Sequence, residues 1–284
     1  MKRKDVLHSP KLLELKKKRR QTFFNKILLS LIAFSAIFAG LVFVSRLDKL
    51  NIFEIEVIGN KVVETELIKE VVKNNLEGYY LWFLPKSNFL LLPKNKIKNE
   101  LTVRFKRLKD ISFDLGNTGV LSVSFSEREG KYIWCGENLP EAGAKSEESS
   151  CYFVDESGYV FDQAPYFSGE VYFKFFGPVS DSYFSPDLFE KIIVLKENLS
   201  NMGMKPTSLY IKNDGDMEIY LSSNKMPPDA PKIIFKDTFE AEKLSENLQA
   251  ALATEPLQSD FKNKYSSLLY IDLRYGNKVY YKFQ

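Results

Sequence analysis

Histidine is almost absent from this chain of 284 residues, since the only one is His8. Residues 9–284 therefore contain no histidine that could act as a base or bind a metal. Nucleophilic serine–histidine and cysteine–histidine pairs are excluded from this part of the chain. No phosphate loop or dinucleotide fingerprint occurs. Four carboxylates, Asp155, Glu156, Asp214 and Asp216, lie in turn contexts where they are common for local reasons. We expect a protein that is not an enzyme, with no catalytic residue, cofactor or metal site.

Cysteine is also scarce, with only Cys135 and Cys151 present. They flank a polar loop, residues 136–150, that has the composition of an excursion between strands. If the flanking strands pair, the two thiols are close enough to bridge in an oxidising compartment. The alternative is a pair of reduced or buried thiols, and the sequence leaves both interpretations open.

Charge is missing from one stretch, the nineteen residues 27–45 between Lys26 and Arg46. As a helix this stretch is about 28 Å long, close to the hydrocarbon thickness of a bilayer. A cleaved signal peptide is the alternative, but its apolar region would be about 7–15 residues and would end at a small-x-small site. Here the run ends in bulky residues, 41–44. We therefore predict an uncleaved transmembrane helix over residues 27–45.

Basic residues are concentrated before this helix. Residues 1–26 contain ten Lys or Arg against Asp5 and Glu14, whereas the rest of the chain has a net charge of −5. Lys and Arg remain on the cytoplasmic side of a membrane, so the tail predicts a cytoplasmic N-terminus and an extracytoplasmic body. The same residues can contact anionic lipid, and we expect no nucleic-acid partner.

Residues 50–130 have the pattern of a small α+β domain. Alternation at Phe53, Ile55 and Val57 predicts a strand with one solvated face. Thr65 is a candidate helix cap, and Pro93 is a candidate first residue of a second helix. Two alternating runs near 111–115 and 121–125 complete the order β-α-α-β-β. The apolar stretch 79–92 is expected to pack in the core, with contact to the membrane as the alternative that the sequence leaves open.

Residues 131–284 have the pattern of a mainly antiparallel β domain with two helices. The helices are predicted from about residue 186 to 199 and from about 238 to 253. A hairpin is expected over 152–161, with its turn at 156–158. At the end of the given chain, Gly276-Asn277 separates two β-forming runs and predicts another hairpin. The predicted fold class is α+β.

This order of elements after a membrane helix resembles the POTRA domain of the FtsQ/DivIB bacterial cell-division proteins. Glu127-Arg128 and Trp134 are similar to a family motif, although Glu129-Gly130 stands where the family has proline. The stretch 152–161 resembles the family's V-D-E-x-G-x-V-F segment. The most specific similarity is Y-I-D-L-R-Y at 270–275, which resembles the family's terminal signature. Together these similarities extend over nearly the whole chain.

The resemblance implies a divisome scaffold at the division septum of a cell membrane, linked to septal peptidoglycan synthesis. Its partners would be FtsB-like and FtsL-like division proteins, captured by strand addition at the last β-strand. The partner-binding candidates are Arg274, Tyr275, Lys278, Val279, Tyr280 and Tyr281. For the tyrosines, the alternative is that they cover a sheet face. Two other functions remain open, a POTRA-bearing protein-translocation component and a membrane-anchored cell-wall-binding protein or wall enzyme.

Overall fold

The computed structural model describes residues 10–116, 119–139 and 150–284. Residues 1–9 of the basic tail, with His8, the predicted turn residues 117–118 and most of the loop between the cysteines lie outside the described residues. The chain divides into two compact units, Met1–Glu127 and Arg128–Gln284. The coarse prediction is confirmed: the protein is α+β, with a long apolar N-terminal helix and a large, mostly antiparallel sheet.

The first element is helix α1, Pro10–Ser45. Within the described residues it is the single helix long and apolar enough to cross a membrane. Its apolar side chains, such as Phe34 and Leu41, are exposed, which suits a helix surrounded by lipid rather than one packed in a protein core. The helix ends at Ser45, where Oγ donates to the carbonyl of Val42.

The rest of the first unit forms a three-stranded sheet covered by two helices. The strands occur in the order β1-β5-β4, with β1 parallel and β4 antiparallel to β5. A two-stranded hairpin, β2 with β3, lies between the helices in sequence. The bounds are β1 Glu54–Ile58, α2 Thr65–Leu76, β2 Tyr79–Tyr80, β3 Leu84–Pro85, α3 Lys94–Arg104, β4 Leu108–Leu115 and β5 Val120–Glu127.

The core of this unit forms because one face of α2 and α3 carries aliphatic residues at helical spacing and β5 carries them at alternate positions. Ile68 and Val72 of α2, Leu101 of α3, and Leu121 and Val123 of β5 are fully buried together. Since the apolar faces of both helices meet the same face of the sheet, the two layers enclose one hydrophobic core.

Three predicted element ends in this unit are wrong by one residue. Pro93 is the N-cap of α3 rather than its first residue. Thr65 is the first residue of α2 rather than its cap, and its hydroxyl accepts a hydrogen bond from Asn60. Phe53 precedes β1 and is largely exposed, whereas Ile55 and Val57 pack against the core as expected. In each case the boundary of the element lies one residue from the position that the pattern indicated, as is common for element ends.

The prediction that residues 79–92 pack in the core is also wrong. The hairpin of β2 and β3 exposes 78% of Leu81 and 89% of Trp82, and Leu90 is similarly exposed. The only fully enclosed member of the segment is the polar Asn88. An apolar sequence alone does not distinguish a core segment from an apolar surface, because both avoid charged residues.

The second unit is built on a nine-stranded sheet in the order β16-β15-β14-β13-β12-β9-β6-β7-β8. Its strands are β6 Tyr132–Trp134, β7 Tyr152–Val154, β8 Val160–Gln163, β9 Lys174–Phe176, β12 Pro206–Ile211, β13 Asp216–Leu221, β14 Lys232–Lys236, β15 Leu268–Tyr275 and β16 Lys278–Phe283. A separate small hairpin pairs β10 Val179–Ser180 with β11 Tyr183–Phe184. Its helices are α4 Phe189–Asn201, α5 Ala241–Leu252 and α6 Leu257–Lys264.

Helices α4 and α5 cover one face of this sheet. Leu195 and Leu199 of α4 and Leu248 of α5 are buried against Leu209 and Ile219 of the strands. The prediction of two helices is corrected to three. Helix α6 was missed because its short sequence, L-Q-S-D-F-K-N-K, buries only Leu257 and so shows little apolar periodicity.

Two carboxylates, Glu127 at the end of the first unit and Asp155 in the second, have structural roles within their own units. The Glu127 carboxylate accepts from the backbone N–H groups of Lys61, Val62 and Val63 at 2.8–3.0 Å. In the second unit, Asp155 accepts from the backbone of Ser157 and Tyr159 and from Arg128. Both carboxylates therefore order turns, which is a common use of these side chains.

Candidate functional site

The candidate site is the edge of the large sheet formed by β15 and β16, called here the 268–283 hairpin. Both strands are rich in aromatic and β-branched residues, and Gly276 has a φ of +65° that allows the tight turn between them. Helix α5 supports this turn, since Asn247 Nδ2 donates to the carbonyl of Gly276 at 3.3 Å. The hairpin is thus held in place from the helical side of the sheet.

Strand β16 is the outermost strand of the sheet. It pairs with β15 on one side in antiparallel register, with Ile271 opposite Tyr281. Within the part of the chain that the structure describes, no strand pairs with its other side. An edge strand of this kind presents outward-pointing backbone N–H and C=O groups that a further strand can bind.

The side chains of β16 alternate between two environments. Val279, Tyr281 and Phe283 are half-buried and pack against the main core, so they hold the strand on the sheet. Lys278, Tyr280 and Lys282 are exposed on the opposite face. Of the predicted binding residues on this strand, Lys278 and Tyr280 are accessible to a partner's side chains, whereas Val279 and Tyr281 contribute mainly to packing.

Tyr280 is joined on the exposed face by Tyr275 from β15. Their ring centroids lie 5.3 Å apart with an interplanar angle of 84°, an edge-to-face geometry that stabilises aromatic pairs. Each ring is about half exposed, at 56% for Tyr275 and 50% for Tyr280. The two tyrosines therefore form one amphipathic patch at the turn of the hairpin.

Arg274, the other predicted binding residue, is engaged within the sheet. Its Nε and Nη2 donate to both oxygens of Asp272 at 2.9 and 2.6 Å, and its Nη1 donates to Asp216 Oδ2 at 2.5 Å. Lys236 donates to the other oxygen of Asp216 at 2.5 Å. Because its donors are occupied in this way, Arg274 positions β15 rather than offering a free cation to a partner.

These contacts determine the ionisation of the cluster. The hydrogen bond from Lys236, with that from Arg274, outweighs burial and holds the pKa of Asp216 below its ordinary value of 3.8. The hydrogen bonds to Asp272 and Asp216 raise the pKa of Arg274. Asp216 and Arg274 are therefore charged at neutral pH, and the buried Asp216 carboxylate is compensated by the two cations that bind it, as a buried charge must be.

A second charged cluster lies on the same face, centred on Glu218 of β13. Its carboxylate accepts from Lys212 and Lys232 at 2.6 and 3.1 Å and from the hydroxyl of Tyr220. Burial opposes ionisation of Glu218, but these three donors outweigh it and lower its pKa. Burial and the hydrogen bond to Glu218 together raise the pKa of Tyr220. This face is thus a layer of paired charges, opposite the helical face.

Sequence reasoning missed Asp216 and Asp272 as parts of the site. Interpreting Asp216 as a turn residue was wrong, since it lies in strand β13 and binds Arg274. Asp214 does have the expected turn geometry and accepts from the backbone of Asp216. The spacing of Asp272 and Arg274, two apart in one strand, was a signal that both side chains share a face.

The two cysteines form a disulfide between Cys135, which follows β6, and Cys151, which precedes β7. These strands pair in antiparallel register, with Trp134 opposite Tyr152, so the pairing of the two strands brings the cysteines together.

Among the described residues, no group of three or more His, Cys, Asp or Glu side chains is arranged to hold a metal ion.

The fold and the edge define a class of protein: an α+β chain with one N-terminal helix able to span a membrane and a large, mostly antiparallel sheet with an unpaired outer strand. In comparisons with known proteins, no family model matches the sequence, and no curated protein matches it either.

Proposed function

We propose that this chain is a non-enzymatic, single-pass membrane scaffold of the FtsQ/DivIB type, which captures another chain by strand addition at β16. The observation that carries the proposal is the position of β16 as the outer strand of the nine-stranded sheet. Backbone hydrogen bonds along a six-residue edge supply affinity for a partner strand, and the side chains beside it supply specificity.

The side chains beside the edge indicate the chemistry of the partner. A strand added to β16 lies next to the Tyr275–Tyr280 patch, with Lys278 and Lys282 exposed on the same strand. Aromatic rings are common binding anchors, and the two cations favour acidic residues in the partner. We therefore expect the captured segment to carry acidic and aromatic or aliphatic residues at alternate positions.

A groove near the Phe283 end of the edge provides a second contact. Its lining includes Met226, Pro228, Leu269, Tyr270 and Gln284, and its volume is about 600 Å³. Met226 is largely exposed, and a flexible thioether adapts to different apolar partners. Lys225, Asp229 and Lys232 also line the groove, so a partner chain longer than β16 would meet both apolar and charged side chains there.

Three features support an extracytoplasmic position for the sheet. The basic tail precedes α1, which favours a cytoplasmic N-terminus. Helix α1 is long and apolar enough to cross a bilayer once. The disulfide between Cys135 and Cys151 suits the oxidising side of the membrane. In this arrangement the scaffold acts at the division septum and recruits FtsB-like and FtsL-like partners that control septal wall synthesis.

The test is site-specific photocrosslinking in living cells. A photoreactive phenylalanine analogue at Tyr280 is expected to trap a small bitopic membrane protein, and trapping should stop when Lys278 and Lys282 are both changed to Glu. The matched control is the same analogue at Tyr166, an exposed tyrosine of the same unit. Identical crosslinks at Tyr280 and Tyr166 would refute the docking edge.

Localisation separates the divisome role from other binding roles. A fluorescent fusion of the full chain is expected to concentrate at mid-cell before constriction. A uniform membrane signal together with a Tyr280-specific crosslink would preserve strand addition but refute the septal role.

A further inference from the structure

The hairpin of β2 and β3 carries an apolar tip where such residues are unusual. Leu81 and Trp82 have φ angles of +47° and +72°, and the N–H of Phe83 donates to the carbonyl of Tyr80 at 3.1 Å. Turns with two positive φ angles favour Asn and Gly, because bulky side chains are strained there. The strained, exposed tip is therefore poorly explained by folding alone, and such strain is often associated with function.

The base of this hairpin is fastened to the end of α1. The carbonyl of Ser45, left without a helical partner at the helix end, accepts from the side-chain amides of Asn51 and Asn88 at 3.1 and 3.0 Å. Ser87 Oγ donates to Asn51 Oδ1 at 3.0 Å. Because Asn88 is buried, these contacts fix residues 87–88 against α1 rather than leaving them free to move.

The hairpin also contacts α1 within its apolar stretch. The ring of Phe83 lies 6.2 Å from the ring of Phe38, in an edge-to-face arrangement. Phe38 precedes Ser45 by seven residues, which is about 10 Å along the helix axis. If residues 27–45 span the hydrocarbon core, the tip therefore reaches back toward the bilayer, to the depth of the outer turns of α1.

We propose that the β2–β3 hairpin inserts Leu81 and Trp82 into the interface of the lipid leaflet next to the Ser45 end of α1. The proposal rests on the membrane anchorage of α1 given above. Tryptophan favours this interface, because its ring is apolar and its indole N–H can reach polar groups. The backbone of an irregular turn is costly in the hydrocarbon centre, so the headgroup–acyl boundary is the depth that suits the tip.

Lipid is the occupant that the surroundings favour. The exposed tip adjoins the apolar surface of α1, which itself requires lipid, so the two surfaces are continuous. At the hairpin base, Lys86 Nζ lies 5.9 Å from the ring centroid of Tyr80, and a cation there can approach lipid phosphates. Together, α1 and the hairpin would hold the first unit at a fixed height and orientation on the membrane.

The experiment uses the full chain in vesicles of phosphatidylcholine and phosphatidylglycerol. The chain has only two tryptophans, Trp82 and Trp134, so Trp134→Phe leaves Trp82 as the reporter. Its emission is expected to shift to the blue, to be quenched by lipids brominated on their acyl chains, and to be protected from acrylamide. If Trp134→Phe does not fold, the difference between the unaltered chain and Trp82→Phe gives the same signal.

Two control variants are made in the Trp82→Phe background, with Trp134→Phe added if that variant folds. Val103→Trp places a tryptophan at another exposed site of the same unit, and Phe34→Trp places one in α1. Brominated lipid should quench Phe34→Trp, because α1 is proposed to span the membrane. If it does so but quenches Trp82 no more than Val103→Trp, the hairpin does not insert, although the membrane anchorage of α1 is retained. If neither Trp82 nor Phe34→Trp is quenched, both the insertion and the membrane anchorage are wrong.

Discussion

Arg274 of β15 binds Asp216 of β13 across the intervening strand, with Nη1 2.5 Å from Oδ2. Lys236 of that intervening strand, β14, binds the other oxygen of the same carboxylate. One buried carboxylate therefore links three neighbouring strands on the face opposite α4 and α5. Since β15 is the strand that pairs with β16, this link determines where the candidate binding edge lies.

Arg274→Met is expected to destabilise the second unit by about 2 kcal/mol, because it leaves Asp272 and Asp216 with unsatisfied acceptors in a largely buried site. Urea unfolding in detergent of the full chain carrying Trp82→Phe, which leaves Trp134 as its tryptophan, measures the change through the fluorescence of Trp134. The control is Lys278→Met, a nearby exposed cation, which should change stability by less than about 0.5 kcal/mol. Equal effects of the two variants would mean that the Arg274 cluster contributes little.

Glu127→Gln is expected to destabilise the first unit by about 1–3 kcal/mol at neutral pH, because an amide cannot accept three backbone hydrogen bonds as the carboxylate does. Burial opposes ionisation of Glu127, but the N–H groups of Lys61, Val63 and Val62 outweigh it and lower its pKa from 4.5. The stabilisation by the ionised Glu127 carboxylate is therefore fully present above pH 4.5. It is lost as the pH falls through the lower pKa that Glu127 has in the folded state.

Thermal unfolding of both chains between pH 7 and pH 3 tests this dependence, because the other titrating groups are common to both. The difference in stability should shrink as the pH decreases. Glu54→Gln, at an exposed position of β1, is the matched control and should change the stability at neutral pH by less than about 0.5 kcal/mol. A Glu127→Gln difference that is constant over this range would contradict the assigned role of the carboxylate.

Replacement of both cysteines by alanine is expected to destabilise the second unit by about 3 kcal/mol, since the bond between Cys135 and Cys151 closes a loop with a sequence separation of 16. Reduction of the unaltered chain should produce a similar loss. Denaturant midpoints with and without reductant provide the measurement. Alkylation of the chain isolated from cells, without reduction, should add no label, and two alkylated thiols in every molecule would show that the disulfide does not form there.

Gly59→Ala is expected to destabilise the first unit by about 3 kcal/mol or more, through a clash and an unfavourable backbone angle together. A Cβ at Gly59 would lie 1.9 Å from the carbonyl oxygen of Phe125, and φ is +104°. Gly78→Ala is the control, because its φ is +89° but its Cβ would meet only the end of Lys86 at 3.8 Å. We expect Gly78→Ala to lower the stability of the first unit by about 1–2 kcal/mol, through the backbone angle alone. Similar losses for the two variants would argue against the clash at Gly59.

Elements with strong periodicity were predictable from the sequence. The uncharged stretch 27–45, the helical face of α2 and the two runs separated by Gly276-Asn277 each follow the local repeat of their structure. Their existence and type agree with the structure, although α1, Pro10–Ser45, begins well before the uncharged stretch. The ends of α2 and of the two strands lie within a few residues of the prediction. Helix α6 was not predictable in this way, because too few of its residues contact the core.

The side chains at the edge show the limit of sequence reasoning. Arg274, Tyr275 and Tyr280 were all proposed as contacts, yet Arg274 is engaged by Asp272 and Asp216 while the two tyrosines are exposed together. A sequence cannot distinguish these situations, because Asp216 lies 58 positions before Arg274 and only strand order brings them together. The same reason explains why the exposed tip at Trp82 was mistaken for core.

The sequence by itself determined the long apolar helix, the α+β class and the alternating strands, because each depends on contacts between residues close together in the chain. Only the tertiary structure decided that β16 is an outer strand, that Asp216 links three strands, and that the β2–β3 hairpin lies against α1. Those outcomes depend on which distant segments pair, and pairing is set by the packing of the whole unit rather than by any local pattern.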